Sequence, residues 1–204
     1  MFRTIALLCI LFMIPSLATA TNLARAKQIV EEKCYLCHGK DGQGSSAIYP
    51  RLAGQNPIYI TKQLADFKAG RRKGTMNEMA ADLTKKEMTA LGEYFGAKPA
   101  KVHRVRDKEL SAVGQYIFKR GNKFSGVAAC ATCHGIDGKG TLQLPRLAGQ
   151  HKRYLIIQLQ EFNRRTRTNP IMASIATKLT ELEIEAVTTY ISGMGTEPKT
   201  SATH

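Results

Sequence analysis

The sequence predicts an all-α protein built from two tandem helical domains, on the strength of three observations. The chain repeats itself: Cys34, Leu52, Phe67, Met76 and Tyr94 recur as Cys130, Leu147, Phe162, Met172 and Tyr190, at an offset of 95 or 96 residues. Apolar residues recur three and four positions apart, and no stretch alternates as a half-buried strand would. The last helix of each copy opens with the same capping box, Thr84 with Glu87 and Thr180 with Glu183, whose hydroxyl and carboxylate each satisfy an otherwise orphaned backbone amide.

In chain order, residues 1–20 read as a secretory signal: a lone Arg3, an apolar run from Ile5 to Leu17 broken at Pro15, then the small residues Ala18, Thr19 and Ala20. The run is too short to span a bilayer, so cleavage and export are expected, and Cys9 leaves with the leader. A helix over Leu23 to Lys33 leads into the first domain, expected over residues 21–97. Pro57 suits the first turn of a helix carrying Ile60, Leu64 and Phe67, with Gly70 as its stop; Leu155, Leu159 and Phe162 repeat the pattern. The capped helices should bury Met88, Leu91 and Phe95 in one copy and Ile184, Val187 and Ile191 in the other. Residues 98–108 are basic and lack apolar periodicity, which marks a linker. The second domain is expected over 109–195, and 196–204 form a polar tail.

Hydrophobic residues make up 43% of the chain and charged ones 23%, a globular balance that argues against disorder. Each copy spans only about 80 to 90 residues, so something besides side chains is needed to fill its interior. Lys and Arg exceed Asp and Glu by 14, and by 13 once Arg3 is removed. That excess suits an acidic protein partner or a loose association with an anionic membrane surface; export argues against nucleic acid.

The chemistry lies in the mature chain's four cysteines. Each copy opens with C-x-x-C-H: Cys34, Cys37 and His38, then Cys130, Cys133 and His134. Two thiols three positions apart on one side of a helical turn can form thioethers with the two vinyl groups of one porphyrin, and the adjacent imidazole can reach its iron. The competing readings are a redox-active dithiol, a zinc site or a pair of disulfides. A thioredoxin-like dithiol should follow a strand, and here each motif follows a helical pattern. Covalent haem c, one per copy, is therefore the expected cofactor.

Met76 and Met172 are the candidate sixth ligands, because each precedes its capped helix by the same distance. Met79 competes with Met76, but its counterpart Ile175 cannot ligate iron. The carbonyls of Pro50 and Pro145 are candidate acceptors for the second ring N–H of His38 and His134. Two basic stretches, Arg71 to Lys73 and Arg164, Arg165 with Arg167, read as a solvated face, as partners of haem propionates or as a docking surface. His103 and His204 should be solvated, and His151, which replaces Asn56 of the first copy, should be a surface or propionate contact.

Together the doubled C-x-x-C-H-G, P-x-L-A-G-Q, Q-L-x-x-F and pre-helical methionine make the whole mature chain resemble cytochrome c4, the di-haem class of bacterial c-type cytochromes. Each half looks like a small class I cytochrome c. The resemblance implies two tandem cytochrome c-like domains, each wrapped around one covalent haem, with His38 and Met76, and His134 and Met172, as iron ligands. It also implies a periplasmic electron-transfer protein rather than an enzyme. Such a carrier takes electrons from a quinol–cytochrome c oxidoreductase or a dehydrogenase and passes them towards a terminal oxidase. Two other readings stay open. One is the di-haem subunit of a flavocytochrome c sulfide dehydrogenase or similar complex; the other is a di-haem peroxidase, which needs an iron with a displaceable ligand.

Overall fold

The computed structural model describes residues 17–195. Most of the leader expected at residues 1–20, and the tail expected at 196–204, lie outside the described residues. The first half comprises α1 (Leu17–Ile29), a π-helical turn (Val30–Cys34), α2 (Tyr35–His38), α3 (Pro57–Lys68), α4 (Met76–Ala80) and α5 (Lys85–Gly96). The second comprises α6 (Lys108–Arg120), α7 (Ala131–His134), α8 (Lys152–Asn163), α9 (Pro170–Ala176) and α10 (Glu181–Gly193). Among the described residues the only extended pairing is an isolated bridge between Asn122 and Val127. None of the described helices is long and apolar enough to cross a membrane.

Local chemistry starts these helices. Pro57 opens α3, where its missing N–H costs nothing. Thr84 and Thr180 each accept from the amide three residues on, and Glu87 and Glu183 reciprocate. The Asp107 carboxylate caps α6 through the Leu110 amide at 2.9 Å. In each half the capped helix is the packing centre: α5 lies against α1 and α3, and α10 against α6 and α8. Two separate apolar clusters result, one around Leu91 and Phe95 and the other around Phe118 and Val187. The α6–α10 crossing is tight enough to demand Gly114, because a Cβ there would sit 2.0 Å from the Ala186 carbonyl oxygen.

The halves differ in how they reach the cysteines. The expected helix over Leu23–Lys33 is regular only to Ile29; the next five residues wind as a π turn that ends at Cys34. In the second half α6 ends at Arg120, and residues 121–129 intervene before Cys130, closed by reciprocal Asn122–Val127 backbone bonds of 2.8 and 2.9 Å.

The halves meet through the same segment, P-R-L-A-G-Q, presented by each to the other as in an isologous contact. The Arg51 amide donates to Gln150 Oε1 at 2.7 Å, and Gln150 Nε2 returns a bond to the Arg51 carbonyl at 3.0 Å. The mirror pair joins Arg146 and Gln55 at 2.7 and 2.9 Å. The chain between α5 and α6 is strapped to both halves: Gln43 holds Pro99 and Lys101, and the His103 amide donates to the Ser192 carbonyl at 3.2 Å.

Candidate functional site

Cys34 closes the π turn and packs, half-buried, against the first core, with Cys37 and His38 following on α2. Cys130 caps α7, which carries Cys133 and His134. Among the described residues no disulfide joins Cys34, Cys37, Cys130 or Cys133. Burial pushes the thiols of Cys34 and Cys130 up to about 11, with Lys33 pulling slightly the other way at Cys34. A redox-active dithiol is served by the opposite shift, towards thiolate. Among the described residues no three His, Cys, Asp or Glu side chains converge as a metal cluster.

Both histidines are buried, His38 at 6% and His134 at 7% exposure. His38 Nδ1 lies 3.1 Å from the Pro50 carbonyl, and His134 Nδ1 lies 3.1 Å from the Pro145 carbonyl. A carbonyl can only accept, so Nδ1 carries the proton and Nε2 is left as the Lewis base. Burial lowers the proton affinity of both rings, and the proline bond partly opposes it. Met76 opens α4 and packs half-buried against the first core. Met172 lies in the first turn of α9, its amide held by Asn169 Oδ1 at 2.9 Å. Met79 is 39% exposed, whereas its counterpart Ile175 packs on the second core.

This donor set fits one c-type haem in each half. Paired thiols suit thioether formation, an imidazole is fixed in one tautomer with its other nitrogen bare, and a thioether lies within each half. Each half carries its own small apolar cluster, as a domain built around such a group would.

Two expectations are corrected at the interface. Arg72 and Arg167 are not solvated: each stacks on a phenylalanine of its own half, with Cζ 4.5 Å from the Phe67 ring centroid and 4.6 Å from that of Phe162. Each also donates across the boundary. Arg72 reaches Gln63 Oε1 at 2.7 Å and Gln158 Oε1 at 2.7 Å, and Arg167 reaches the same two oxygens at 3.0 and 2.6 Å. The guanidinium fork makes such shared bonding possible, so these charges are spent inside the protein; Arg71, Lys73, Arg164 and Arg165 stay exposed. His103 and His151 are also interfacial. His151 is 7% exposed, with Nε2 2.7 Å from the Gln43 carbonyl and Nδ1 2.9 Å from His103 Nε2. A cleft of about 460 Å³ opens beside them, lined also by Lys152, Arg153 and Glu185.

Gln55, Gln63, Gln150 and Gln158 escaped the sequence reading, although a signal was there. Both copies carry these amides at matching positions, within the doubled P-x-L-A-G-Q and Q-L-x-x-F segments.

The chain resembles known proteins along most of its length. The Cytochrome c family model matches residues 23–120 and again 118–195. Cytochrome c4 of Pseudomonas aeruginosa is 38% identical over 187 residues, covering 87% of this chain and 92% of the relative. A thiosulfate dehydrogenase electron acceptor of Stutzerimonas stutzeri is 36% identical, covering 79% of each chain. The crystal structure of reduced recombinant cytochrome c4 from Pseudomonas stutzeri superposes with a TM-score of 0.79 at 34% identity, over 84% of this chain and 98% of that one.

Proposed function

We infer, from the premise that this chain belongs to the cytochrome c4 family, that it is a periplasmic electron carrier whose two irons are held by the residues described above. Membership makes it a di-haem electron-transfer cytochrome with two covalent c-type haems, and redox proteins as its partners. In the proposal, Cys34 and Cys37 would anchor one haem, and His38 and Met76 would hold its iron. Cys130, Cys133, His134 and Met172 would do the same in the second half. When bound, each haem supplies an iron that cycles between ferric and ferrous states. The chain fixes each imidazole by its proline carbonyl and buries it from water; a methionine sulfur as the other ligand would favour the ferrous state. With a histidine and a methionine holding each iron, the group would pass electrons rather than bind a substrate.

The observation that carries the assignment is the recurrence, directly after each cysteine pair, of a buried histidine bonded to a proline carbonyl at 3.1 Å. Carbon monoxide binding tests it. The reduced wild type should bind none, and Met76→Ala and Met172→Ala should each bind one equivalent per chain. Binding or peroxide turnover by the wild type would favour the peroxidase reading.

Export rests on the leader-like residues 1–20, and the route towards a terminal oxidase on the family. A dehydrogenase donor is a second reading, supported by the relative named as an acceptor from thiosulfate dehydrogenase; reduction by such an enzyme with thiosulfate would favour it. In both readings the exposed cations Arg71, Lys73, Arg164 and Arg165 face an acidic partner. Electron transfer should then slow steeply with ionic strength, and a flat salt profile would remove that docking face.

A further inference from the structure

The Pro50 carbonyl and the Arg51 amide are the two ends of one peptide unit. The carbonyl accepts from His38 Nδ1 at 3.1 Å, and the amide donates to Gln150 Oε1, from the other half, at 2.7 Å. The second half repeats the arrangement: Pro145 accepts from His134 at 3.1 Å, and the Arg146 amide donates to Gln55 Oε1 at 2.7 Å. Each glutamine is pinned at both ends. Gln150 Nε2 donates to the Arg51 carbonyl at 3.0 Å and Gln55 Nε2 to that of Arg146 at 2.9 Å; the oxygens also accept from the amides of His151 and Asn56 at 2.9 and 3.0 Å. Exposures of 6% for Gln150 and 7% for Gln55 keep water from competing.

We propose that Gln55 and Gln150 are positioning residues, each acting on the histidine of the opposite half through a single peptide unit. The proposal rests on the reading that His38 and His134 ligate iron. Peptide resonance links the two ends: an amide that donates polarises the carbonyl of the same unit, which becomes a better acceptor. The better acceptor draws on the Nδ1 proton and makes Nε2 a stronger electron donor. Gln150 therefore strengthens the imidazole of the first half, and Gln55 that of the second. Stronger donation favours ferric iron, so loss of either glutamine raises the midpoint potential across the interface from the substitution.

The test is voltammetry of holo-protein carrying Gln150→Leu or Gln55→Leu, with each wave assigned from single-haem variants. Gln150→Leu should raise the first-half potential and leave the second unmoved, and Gln55→Leu should do the converse. Gln150→Glu, which keeps a stronger acceptor at the same atom, should lower the first-half potential; it also serves if the leucine variant does not mature. A shift confined to the substituted half, equal shifts in both halves or no shift in either overturns the proposal, since general loosening of the interface would not respect this crossing. Hyperfine-shifted NMR signals separate the two levels of failure. Without such signals from the His38 and His134 rings in the wild type, the ligand assignment itself falls; with them and with unmoved potentials, only the cross-interface role falls.

Discussion

Two corners of the interface occupy equivalent places in the repeat and use different chemistry. At one, Asn56 sends Nδ2 to the carbonyls of Leu144, at 2.6 Å, and Thr141. At the other, its counterpart His151 donates Nε2–H to the Gln43 carbonyl. A neutral His151 then has Nδ1 bare and accepts from His103 Nε2–H, while an Arg51 guanidinium nitrogen lies 3.4 Å from that same His103 atom. The amide corner carries no titratable group in its contact. The imidazole corner can take a proton only by placing a second cation beside Arg51. A duplicated scaffold can thus hold the same contact in two versions, one of them sensitive to acid.

The largest effect expected from breaking the likeness of the halves is that of Gly114→Ala. Its Cβ would meet the Ala186 carbonyl, so the α6–α10 crossing must open, at a cost of about 3 kcal/mol. Denaturant unfolding followed separately in the two halves should show the loss in the second alone. Next comes Arg167→Gln, which unstacks Phe162 and strips partners from Tyr59 and Gln158. About 2 kcal/mol is expected, against well under about 1 kcal/mol for Arg71→Gln, whose exposed pair with Asp66 is worth little. Equal losses for the two would return Arg167 to the solvated surface.

A smaller gain comes from making the halves more alike. Gly70 takes the left-handed conformation after α3, with φ at 69°, and its counterpart Arg165 takes it with φ at 58°. Arg165→Gly should therefore raise stability by roughly 1 kcal/mol in thermal unfolding. The smallest effect is the acid response. Burial first, then Arg51 and His151, lower the proton affinity of His103; burial and Arg51 lower that of His151 against the Gln43 bond. The charged groups around the pair are Arg51, Lys152, Arg153 and Glu185. The unfolded chain takes up these protons first, so the stability contributed is full above the ordinary value of 6.5 and is lost as pH falls through the depressed folded values. His151→Asn, which copies the other corner, should flatten this decline in melting temperature; an unchanged profile would place the sensitive group elsewhere.

Local rules made part of this legible from sequence. Thr84 with Glu87, Thr180 with Glu183 and Pro57 act within one turn, so the helices they start could be read directly. The cysteine–histidine motif is equally local. The roles of Arg72, Arg167 and His151 were not legible, because their partners in the opposite half lie 82 to 108 residues away and a basic residue looks the same in sequence whether solvated or shared between two glutamines. The π turn before Cys34 was hidden for another reason: its residues fit an ordinary helical period, and the difference from the 121–129 excursion of the second half is one of packing.

The most direct test of the central claim counts haems. Denaturing mass spectrometry of the chain purified from cells able to mature c-type cytochromes should find two covalently attached haems. One should remain in Cys34→Ala/Cys37→Ala and one in Cys130→Ala/Cys133→Ala, the survivor keeping its histidine–methionine spectrum. Pigment released by denaturation, a single haem in the wild type or loss of both haems on removing either cysteine pair would contradict it.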